Sequence, residues 1–581
     1  MSILTIKSKN IQTILDLSIS AFFVLCSMAI LKFFLPSGLT TDFLVRGFKL
    51  IGLIFIFTTV LFLFFLYFNK NFKFKKKIEF PELKDFFLLA LPMSPVLDYA
   101  VLNTEYLDLF GLLYLFAITL SFAVFFSFIF PLLFSYFASF KALMISGLAL
   151  SFTIITMGKI SDNPDSFFLD NQFLTQFLYL IFSFVAVYLI YIFNKQVAYI
   201  TVVFFMITGV FISYFNYSFE NSIQTKEQNS NKLEKFLNNE NNKIVKKKNI
   251  YLLVYESYAN IETLNHYGFD NSNQIKFLEE KGFKVYHGVY SNGGLSIEST
   301  SRILEIDGEL YKPGRYYTSG NAFGLNIFKA NNYKTIGLFK SHYFFGSAPI
   351  SWDEFYPEGN AAKYFGKTLT NIIFEGEFRF DVFDDFYSYD KYLELKKKYL
   401  RSIKGPSIFY THNSYPGHSG NSGKCATNEK ELYFKGLKKA NIEIKNDVTN
   451  ILSNDPDSII VLLGDNGPYL TKNCRELRNY DISKIDKYDL QDRYGTFLSI
   501  HWPKELNNFE KKIVITQDIF PAILSNITNN KNLFNELKIE RKFFDQFHNN
   551  VAGINVINGI ITNGKDKGSP LFDKRTYVLP N

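Results

Sequence analysis

The sequence predicts two regions of different fold class: a multi-span α-helical membrane domain, followed by an α/β domain with a mostly parallel central sheet. Three observations lead to this prediction. Long charge-free apolar runs fill the first 217 residues, short apolar runs alternate with amphipathic stretches after residue 249, and all seven histidines lie after residue 265. Apolar runs of about 20 residues can cross a bilayer, whereas buried strands separated by helices are typical of parallel sheets.

The composition excludes several classes of protein. Hydrophobic residues make up 48% of the 581 residues, which excludes a disordered or collagen-like chain. Three cysteines cannot build a cysteine-based zinc module or a disulfide scaffold. The net charge of +8 arises largely from lysine runs beside apolar segments, so it indicates membrane topology and no nucleic-acid partner.

Six or seven segments are predicted to span the membrane. Segment 86–103 is the weakest, because Pro92, Pro95 and Asp98 interrupt it, and it would form a kinked span or a re-entrant segment. The candidate spans are 11–31, 50–69, 86–103, 109–140, 142–158, 171–194 and 196–220.

The distribution of lysines predicts the orientation of these spans. Lys7 and Lys9 precede the first span and a lysine cluster at 70–77 follows the second, so both flanks are expected in the cytoplasm. Segment 161–170 contains three aspartates and no lysine or arginine, which favours the outside. With seven spans, everything after about residue 217 would be extracytoplasmic. The Lys-, Asn- and Phe-rich composition favours a bacterial source, so we expect a multi-pass protein of the bacterial cytoplasmic (inner) membrane.

We divide the chain into a membrane domain (1–217), a juxtamembrane linker (218–248), an α/β domain (249–550) and a C-terminal extension (551–581). The linker is rich in Asn, Lys, Gln and Glu, so we expect a polar helix or an open segment outside the core. The extension is predicted to add a hairpin. The strongest predicted strands are 249–256, 333–338, 407–412 and 458–464, and the strongest predicted helices are 390–402 and 428–453.

Polar residues follow two of the predicted strands. Glu256 ends the first, and Asp465-Asn466-Gly467 follows a later one, at the strand edge where α/β sheets bind ligands. Between them, a glycine-containing turn leads to Ser296 at a predicted helix start. Carboxylate and carbonyl oxygens are ligands for hard divalent cations. A serine hydroxyl on such a cation could be deprotonated near neutral pH, and a helix N-terminus could receive a phosphate or sulfate ester.

In order and spacing, these motifs resemble the sulfatase-like branch of the alkaline phosphatase superfamily. They are most similar to membrane-anchored phosphoethanolamine and phosphoglycerol transferases, including lipoteichoic acid synthase. That family has a strand ending in Glu, a Thr or Ser nucleophile about forty residues later, and a late Asp-His-Gly. The resemblance implies that Ser296 is the nucleophile and that Glu256, Ser296, Asp465 and Asn466 bind the metal.

The resemblance also implies residues that bind substrate. His418, in a loop after a predicted strand, is the first candidate and His412 is the second. His342 lies where the family often has another histidine, and Ser299 matches a serine common three positions after the nucleophile. Each histidine could instead be an ordinary loop residue.

The sequence departs from the transferase pattern in two places. Ser296 stands where these transferases usually have Thr, and Asn466 stands where they have His. An Asp-Asn-Gly-Pro sequence is closer to the calcium sulfatases, yet the Cys/Ser-x-Pro-x-Arg motif that those enzymes need is absent around Ser296. The cofactor is therefore expected to be one or more divalent ions, with Mn, Mg, Ca and Zn all open.

These inferences predict a transferase that moves a phospholipid head group to an envelope glycan or lipid acceptor. A sulfatase or phosphodiesterase, or an inactive binding or scaffold relative, are the alternatives. At the level of single residues, Glu256 could be a simple ion-pair partner, and Asp465-Asn466 could form a plain turn. Ser296 could be only a helix cap, with Ser299 or Thr300 the nucleophile.

Overall fold

The computed structural model describes residues 80–93, 109–135, 139–161, 225–340, 342–345, 348–357, 388–418, 428–471, 481–542 and 556–579. The described residues up to 161 belong to one compact unit, and those from 225 onwards belong to a second.

The described part of the first unit is helical. A 3₁₀ turn covers Leu83–Leu89, and three α-helices follow: α1 (Leu109–Val124), α2 (Phe130–Phe134) and α3 (Phe140–Ser161). A π-helical turn, Phe125–Ile129, joins α1 to α2. Gly147 of α3 lies against this turn, where a Cβ atom would approach the carbonyl oxygen of Phe126 to 2.0 Å. Glycine is therefore what allows the two backbones to approach so closely.

Helix α1, the π-helical turn and α2 form one continuous helical stretch. Its part Leu115–Leu133 is the one helix among the described residues that is long and apolar enough to cross a membrane, with a mean hydropathy of 2.3. It lies within predicted span 109–140, and the shorter apolar helix Phe140–Ala149 overlaps predicted span 142–158. Segment 86–103 is described only as far as residue 93, and four predicted spans lie outside the described residues: 11–31, 50–69, 171–194 and 196–220. The multi-span topology stays a prediction.

The second unit is built on a seven-stranded sheet with the order β2-β7-β6-β1-β5-β3-β4. Strands β6, β1, β5, β3 and β4 are parallel, and β7 pairs antiparallel with both β6 and β2. The strands are β1 (Ile250–Tyr255), β2 (Phe283–Val285), β3 (Lys334–Phe339), β4 (Glu354–Tyr356), β5 (Ser407–Asn413), β6 (Ile459–Gly464) and β7 (Leu498–His501).

The α-helices of this unit follow in chain order. They are α4 (Thr225–Asn238), α5 (Ile261–His266), α6 (Ser272–Glu280), α7 (Ser296–Glu305), α8 (Gly314–Tyr316), α9 (Phe323–Ala330), α10 (Tyr389–Ser402), α11 (Glu429–Asn454), α12 (Lys487–Tyr494), α13 (Ile519–Ile527) and α14 (Leu533–Glu536).

The central strand β1 explains why the sequence there is continuously apolar. All six of its residues are buried. Leu252 and Val254 pack into the core on one face of the sheet, while Leu253 and Tyr255 pack into the core on the other. A strand covered on both faces has no side for water, so its polar–apolar alternation disappears.

The sheet confirms the predicted α/β class and the parallel centre. The four predicted strands correspond to β1, β3, β5 and β6, and the two predicted helices correspond to α10 and α11. The edge strands β2 and β4, and the antiparallel β7, were not predicted, because they have only three or four residues.

The segments that flank the predicted α/β domain also belong to the second unit. Helix α4 lies in the predicted linker, and its Phe236 is buried in the main core, which corrects the expectation that this stretch stays outside it. At the other end, β8 (Val556–Ile557) and β9 (Ile560–Ile561) form an antiparallel hairpin. Its Val556 packs in a small core with Tyr290 and Tyr494.

Candidate active site

Glu256 directly follows β1 at the carboxyl edge of the sheet. Its N–H donates to the carbonyl oxygen of Asn413 at 3.1 Å, which ties it to the end of the neighbouring strand β5. One carboxylate oxygen lies 3.6 Å from Nε2 of His418, and the other lies 3.6 Å from Nζ of Lys340. The structure thus brings Glu256 and His418 together and adds Lys340, a residue to which the sequence assigned no role.

Asp465 follows β6, which is the other neighbour of β1 in the sheet. Its buried carboxylate accepts hydrogen bonds at Oδ1 from the N–H groups of Ser257 (2.7 Å) and Asn466 (2.9 Å). Ser257 has a φ of 57°, a left-handed conformation uncommon for a residue other than glycine. This turn aims its N–H at Asp465, so the ends of β1 and β6 are joined directly.

Asn466 connects this strand end to helix α7, which begins at Ser296. In one orientation of its amide, Asn466 makes three hydrogen bonds. The nitrogen donates to Ser257 Oγ (2.8 Å) and to Gly467 O (3.0 Å), and the oxygen accepts from the N–H of Ser296 (3.2 Å). In the opposite orientation, the nitrogen lies 3.5 Å from Ser296 Oγ. Either way, the side chain of Asn466 bridges Ser257 and Ser296.

Ser296 is the first residue of helix α7 and is half-buried. The loop before it comes very close to the helix, because a Cβ atom on Gly293 would lie 2.7 Å from the backbone nitrogen of Ser299. Only glycine fits this approach. The first backbone N–H groups of a helix have no partner within the helix and favour a negatively charged group. The hydroxyl of Ser296 therefore lies where an anionic ester would be stabilised.

The two other hydroxyls considered as nucleophiles lie beneath this surface. Ser299 is fully buried, and its Oγ accepts a hydrogen bond from Ser291 Oγ at 2.7 Å. Thr300 is also buried, and its Oγ1 lies 3.4 Å from the hydroxyl of Tyr410. Ser299 has no exposed surface, and its role in substrate binding stays a prediction.

His412 is likewise fully buried, at the end of β5. Its Nε2 lies 3.5 Å from Asp465 Oδ2, its Nδ1 lies 3.1 Å from the hydroxyl of Tyr410, and its ring lies 4.1 Å from the ring of Phe344. Burial lowers the pKa of His412 to about 4, so the imidazole is neutral at pH 7. His412 thus lies beside Asp465 with no exposed surface, and its substrate-binding role stays a prediction.

The other two histidines lie in loops at the carboxyl edge. His418 is about one-third exposed, and its ring lies 5.3 Å from that of Tyr469. The hydroxyl of Tyr469 donates to the carbonyl oxygen of Gly294, in the loop that precedes Ser296. His342 begins the 3₁₀ turn His342–Phe344, which follows the loop residue Lys340. Its side chain is outside what the structure describes.

The sequence missed Ser257, Lys340 and Tyr469. Ser257 directly follows a predicted ligand, and Lys340 lies two positions before His342, so proximity in the chain was the available signal for both. Nothing in the sequence marks Tyr469, because its contacts with His418 and Gly294 arise only in the fold.

Within the described ranges, no group of three or more His, Cys, Asp or Glu side chains forms a metal site. The predicted ligand set has a different composition: the carboxylates of Glu256 and Asp465, the amide of Asn466 and the hydroxyl of Ser296. Asp465 Oδ2 lies 3.5 Å from Nε2 of His412, which is longer than an ordinary hydrogen bond. It therefore keeps lone pairs for a cation, and the oxygen donors fit a hard divalent ion.

No family model and no curated protein matches the chain. Solved structures do match it. The C-terminal periplasmic domain of EptC from Escherichia coli is 12% identical, with a TM-score of 0.37, over 52% of this chain and 91% of that chain. The integral membrane protein lipooligosaccharide phosphoethanolamine transferase A from Neisseria meningitidis is 12% identical, with a TM-score of 0.36, over 90% of this chain and 97% of that chain.

A third match is the lipoteichoic acid synthase LtaP from Listeria monocytogenes, 13% identical with a TM-score of 0.36, over 54% of this chain and 82% of that chain. The EptC domain has also been solved as a complex with Zn. These are the kinds of protein that the motif order resembles. At such identities and scores the likeness carries no argument about activity, so the function proposed below rests on the residues of the site.

Proposed function

We propose that this protein is a metal-dependent transferase. It moves a phosphoethanolamine or phosphoglycerol head group from a membrane phospholipid to an envelope glycan or lipid acceptor. The observation that carries the proposal is the position of Asn466, which bridges Ser296 at the start of α7 and Ser257 beside Glu256. Motifs far apart in the chain therefore meet at one edge of the sheet, with a hydroxyl nucleophile beside acidic ligands.

In the proposed reaction, Ser296 is already deprotonated, and its alkoxide oxygen attacks the phosphorus of the donor lipid; the same alkoxide leaves when the acceptor reacts. A serine–phosphorus bond forms, the bond from phosphorus to the diacylglycerol oxygen breaks, and that oxygen takes a proton from His418. An acceptor hydroxyl then gives its proton to His418 and attacks the phosphoseryl group, which releases Ser296. A divalent cation held by Glu256, Asp465, Asn466 and Ser296 would lower the pKa of the serine hydroxyl and offset phosphoryl charge.

The charges around the site support a phosphoryl substrate. Lys340 lies 3.6 Å from one oxygen of Glu256, so its ammonium group is within reach of an ester bound beside that carboxylate. His418 lies on the other side of Glu256 and is partly exposed, as a group that exchanges protons with a substrate must be.

The membrane domain would hold this site at the extracytoplasmic surface, beside its lipid donor. The lysine distribution supports that orientation, and helix Leu115–Leu133 has the length and hydropathy to cross the bilayer. Six or seven spans in the inner membrane remain part of this proposal.

A second candidate is a phosphodiesterase or sulfatase, which would pass the group to water. Asn466 favours it, because an amide in place of an imidazole gives the all-oxygen ligand set preferred by calcium. An inactive binding relative is the third.

Reconstitution of the full-length protein in lipid vesicles tests these candidates. Vesicles would contain phosphatidylethanolamine or phosphatidylglycerol labelled in the head group, with a divalent metal supplied. We expect metal-dependent release of diacylglycerol and a labelled peptide that contains Ser296. Free head group without labelled protein or acceptor would indicate the hydrolase. Failure of metal-loaded protein to cleave either lipid would contradict the transferase.

A further inference from the structure

His412 is a buried side chain of the site. The proposed reaction gives it no role. Its side chain has no exposed surface, and Nε2 has no hydrogen-bond partner of ordinary length among the described residues. The polar atom facing Nε2 is Oδ2 of Asp465, at 3.5 Å. On the other side of the ring, Nδ1 lies 3.1 Å from the hydroxyl of Tyr410. That hydroxyl lies 3.4 Å from Oγ1 of Thr300, in helix α7.

We propose that His412 is a positioning residue for the metal ligand Asp465. It would set the direction of Oδ2 and, through Tyr410 and Thr300, link the end of β6 to the helix that presents Ser296. The inference rests on the proposed function, because it treats Asp465 as a ligand.

Only one oxygen of the Asp465 carboxylate, Oδ2, needs a side chain to set its direction. Oδ1 of Asp465 accepts from the N–H groups of Ser257 and Asn466, so the backbone already fixes that oxygen. Both bonds end on Oδ1, whereas Oδ2 lies 3.5 Å from Nε2 of His412. Side chains that orient a metal ligand in this way typically change metal affinity by about 10- to 100-fold when they are removed.

One requirement fixes which atoms carry hydrogen in the row of contacts from Asp465 through His412 to Tyr410. An ionised carboxylate only accepts hydrogen bonds, so Nε2 of His412 must carry the hydrogen that faces Asp465. Nδ1 is then an acceptor, and the hydroxyl of Tyr410 donates to it. The same tyrosine hydroxyl lies 3.4 Å from Oγ1 of Thr300, which lies one helical turn after Ser296.

Packing fixes the ring in this orientation. The ring of Phe344 lies 4.1 Å from the imidazole, and the rings of Tyr410 and Phe339 lie 5.1 Å apart in the same core. Phe344 therefore packs against the imidazole ring, while Nε2 faces Asp465 and Nδ1 faces Tyr410.

Two substitutions separate positioning from simple packing. The amide nitrogen of glutamine can reach the position of Nε2, whereas asparagine reaches only the position of Nδ1. We expect His412→Gln to keep metal affinity within about threefold of wild type, and His412→Asn to lose about 10-fold or more. Tyr410→Phe, which removes the bond to Nδ1, should give an intermediate loss.

The measurement is titration of the full-length, detergent-solubilised protein with Mn²⁺ and separately with Zn²⁺, by calorimetry, with thermal unfolding as a check on folding. Equal affinities for the Gln and Asn variants would overturn the role of His412. An unchanged metal affinity in Tyr410→Phe would overturn the link to Thr300. If the Asn variant does not fold, the metal affinity of Tyr410→Phe relative to wild type is the measurement that tests the proposal. Wild-type protein that binds neither ion would instead contradict the proposed function.

Discussion

The side-chain amide of Asn466 lies 3.5 Å from Oγ of Ser296, although 170 residues separate the two positions in the chain. Asn466 follows the central strand β6 and Ser296 begins helix α7, so the contact joins the two elements that carry the proposed nucleophile and one proposed metal ligand.

Ser296→Ala should reduce diacylglycerol release by about three orders of magnitude or more, because the variant lacks the attacking oxygen. Ser296→Thr should retain substantial activity, since it keeps a hydroxyl. Initial rates in vesicles measure both effects. Ser272→Ala is a matched control: Ser272 is the exposed first residue of another helix, α6. Wild-type rates in Ser296→Ala, or a phosphoryl label on Ser299, would reject the assignment.

Asn466→His should shift metal preference toward zinc, because imidazole nitrogen is a softer ligand than an amide oxygen. Asp465→Asn should lose metal, since it removes a negative charge while leaving an oxygen for the N–H groups of Ser257 and Asn466. Elemental analysis of purified protein gives the metal content. Asp457→Asn, an exposed position just before β6, should behave like wild type. Full metal occupancy in Asp465→Asn would remove this residue from the ligand set.

A reporter that is active only outside the cytoplasm should be active when fused after Lys248 and silent when fused at Lys76. The reason is the lysine cluster at 70–77, which favours the cytoplasm. Reporter activity in whole cells measures the outcome. The opposite result at Lys76 would reverse the orientation, and the proposed lipid donor would then have to come from the cytoplasmic leaflet.

Lys396→Met should destabilise the second unit by about 3–5 kcal/mol, because it leaves buried acidic groups without their cation. Nζ of Lys396 lies 2.7 Å from Asp447 Oδ2 and also donates to Asn413 at 2.7 Å. Lys397→Met, at an exposed neighbouring position in α10, is the control. Thermal unfolding of the two variants compares their stability, and similar midpoints would mean that the buried pair adds little.

The contribution of Glu305 to the stability of the second unit should fall as pH rises from about 4.5 to about 7. Burial raises the pKa of Glu305 to about 7, above its ordinary value of 4.5. In this interval Glu305 holds a proton in the folded protein that it has released in the unfolded chain, so its contribution to the free energy of unfolding falls by at most ~1.4 kcal/mol per pH unit. Buried His412, whose pKa is lowered to about 4, contributes in the opposite sense, so the residue is tested by comparing unfolding midpoints of variants at several pH values.

Glu305→Gln should remove this contribution and shift the slope of stability against pH in the positive direction relative to wild type, because its amide oxygen can still accept from the N–H of Phe323 without titrating. Glu309→Gln, an exposed position in the following loop, should leave the slope as it is in wild type. An unchanged slope in Glu305→Gln would assign the pH dependence to other groups.

The sequence predicted the parts of the fold that follow from long, one-sided patterns. Strands β1 and β6 are uninterrupted apolar runs because both faces of the sheet are covered, and such runs can be recognised without any partner. Strand β7 reads Leu-Ser-Ile-His and gives no such signal. It exists as a strand because it pairs with β6 and β2, which is information that the local sequence does not contain.

The same distinction applies to the site. Glu256, Ser296 and Asp465 could be proposed because each follows a recognisable strand or turn. Whether a polar side chain faces the cleft or the interior depends on packing between distant elements. His412 and Ser299 were therefore assigned to the substrate, although the fold buries both.

Helix α4 has a practical consequence for how this enzyme candidate should be produced. Lys232 pairs with Asp307 at 2.9 Å, and Phe236 packs edge-on against Phe323, close to the carboxyl end of the nucleophile helix. A soluble fragment cut at residue 249, where the first strand begins, would lose that cover and leave Phe323 facing solvent. A cloning boundary ahead of Thr225 keeps it, and we expect that longer fragment to be the one that purifies as a stable, crystallisable species.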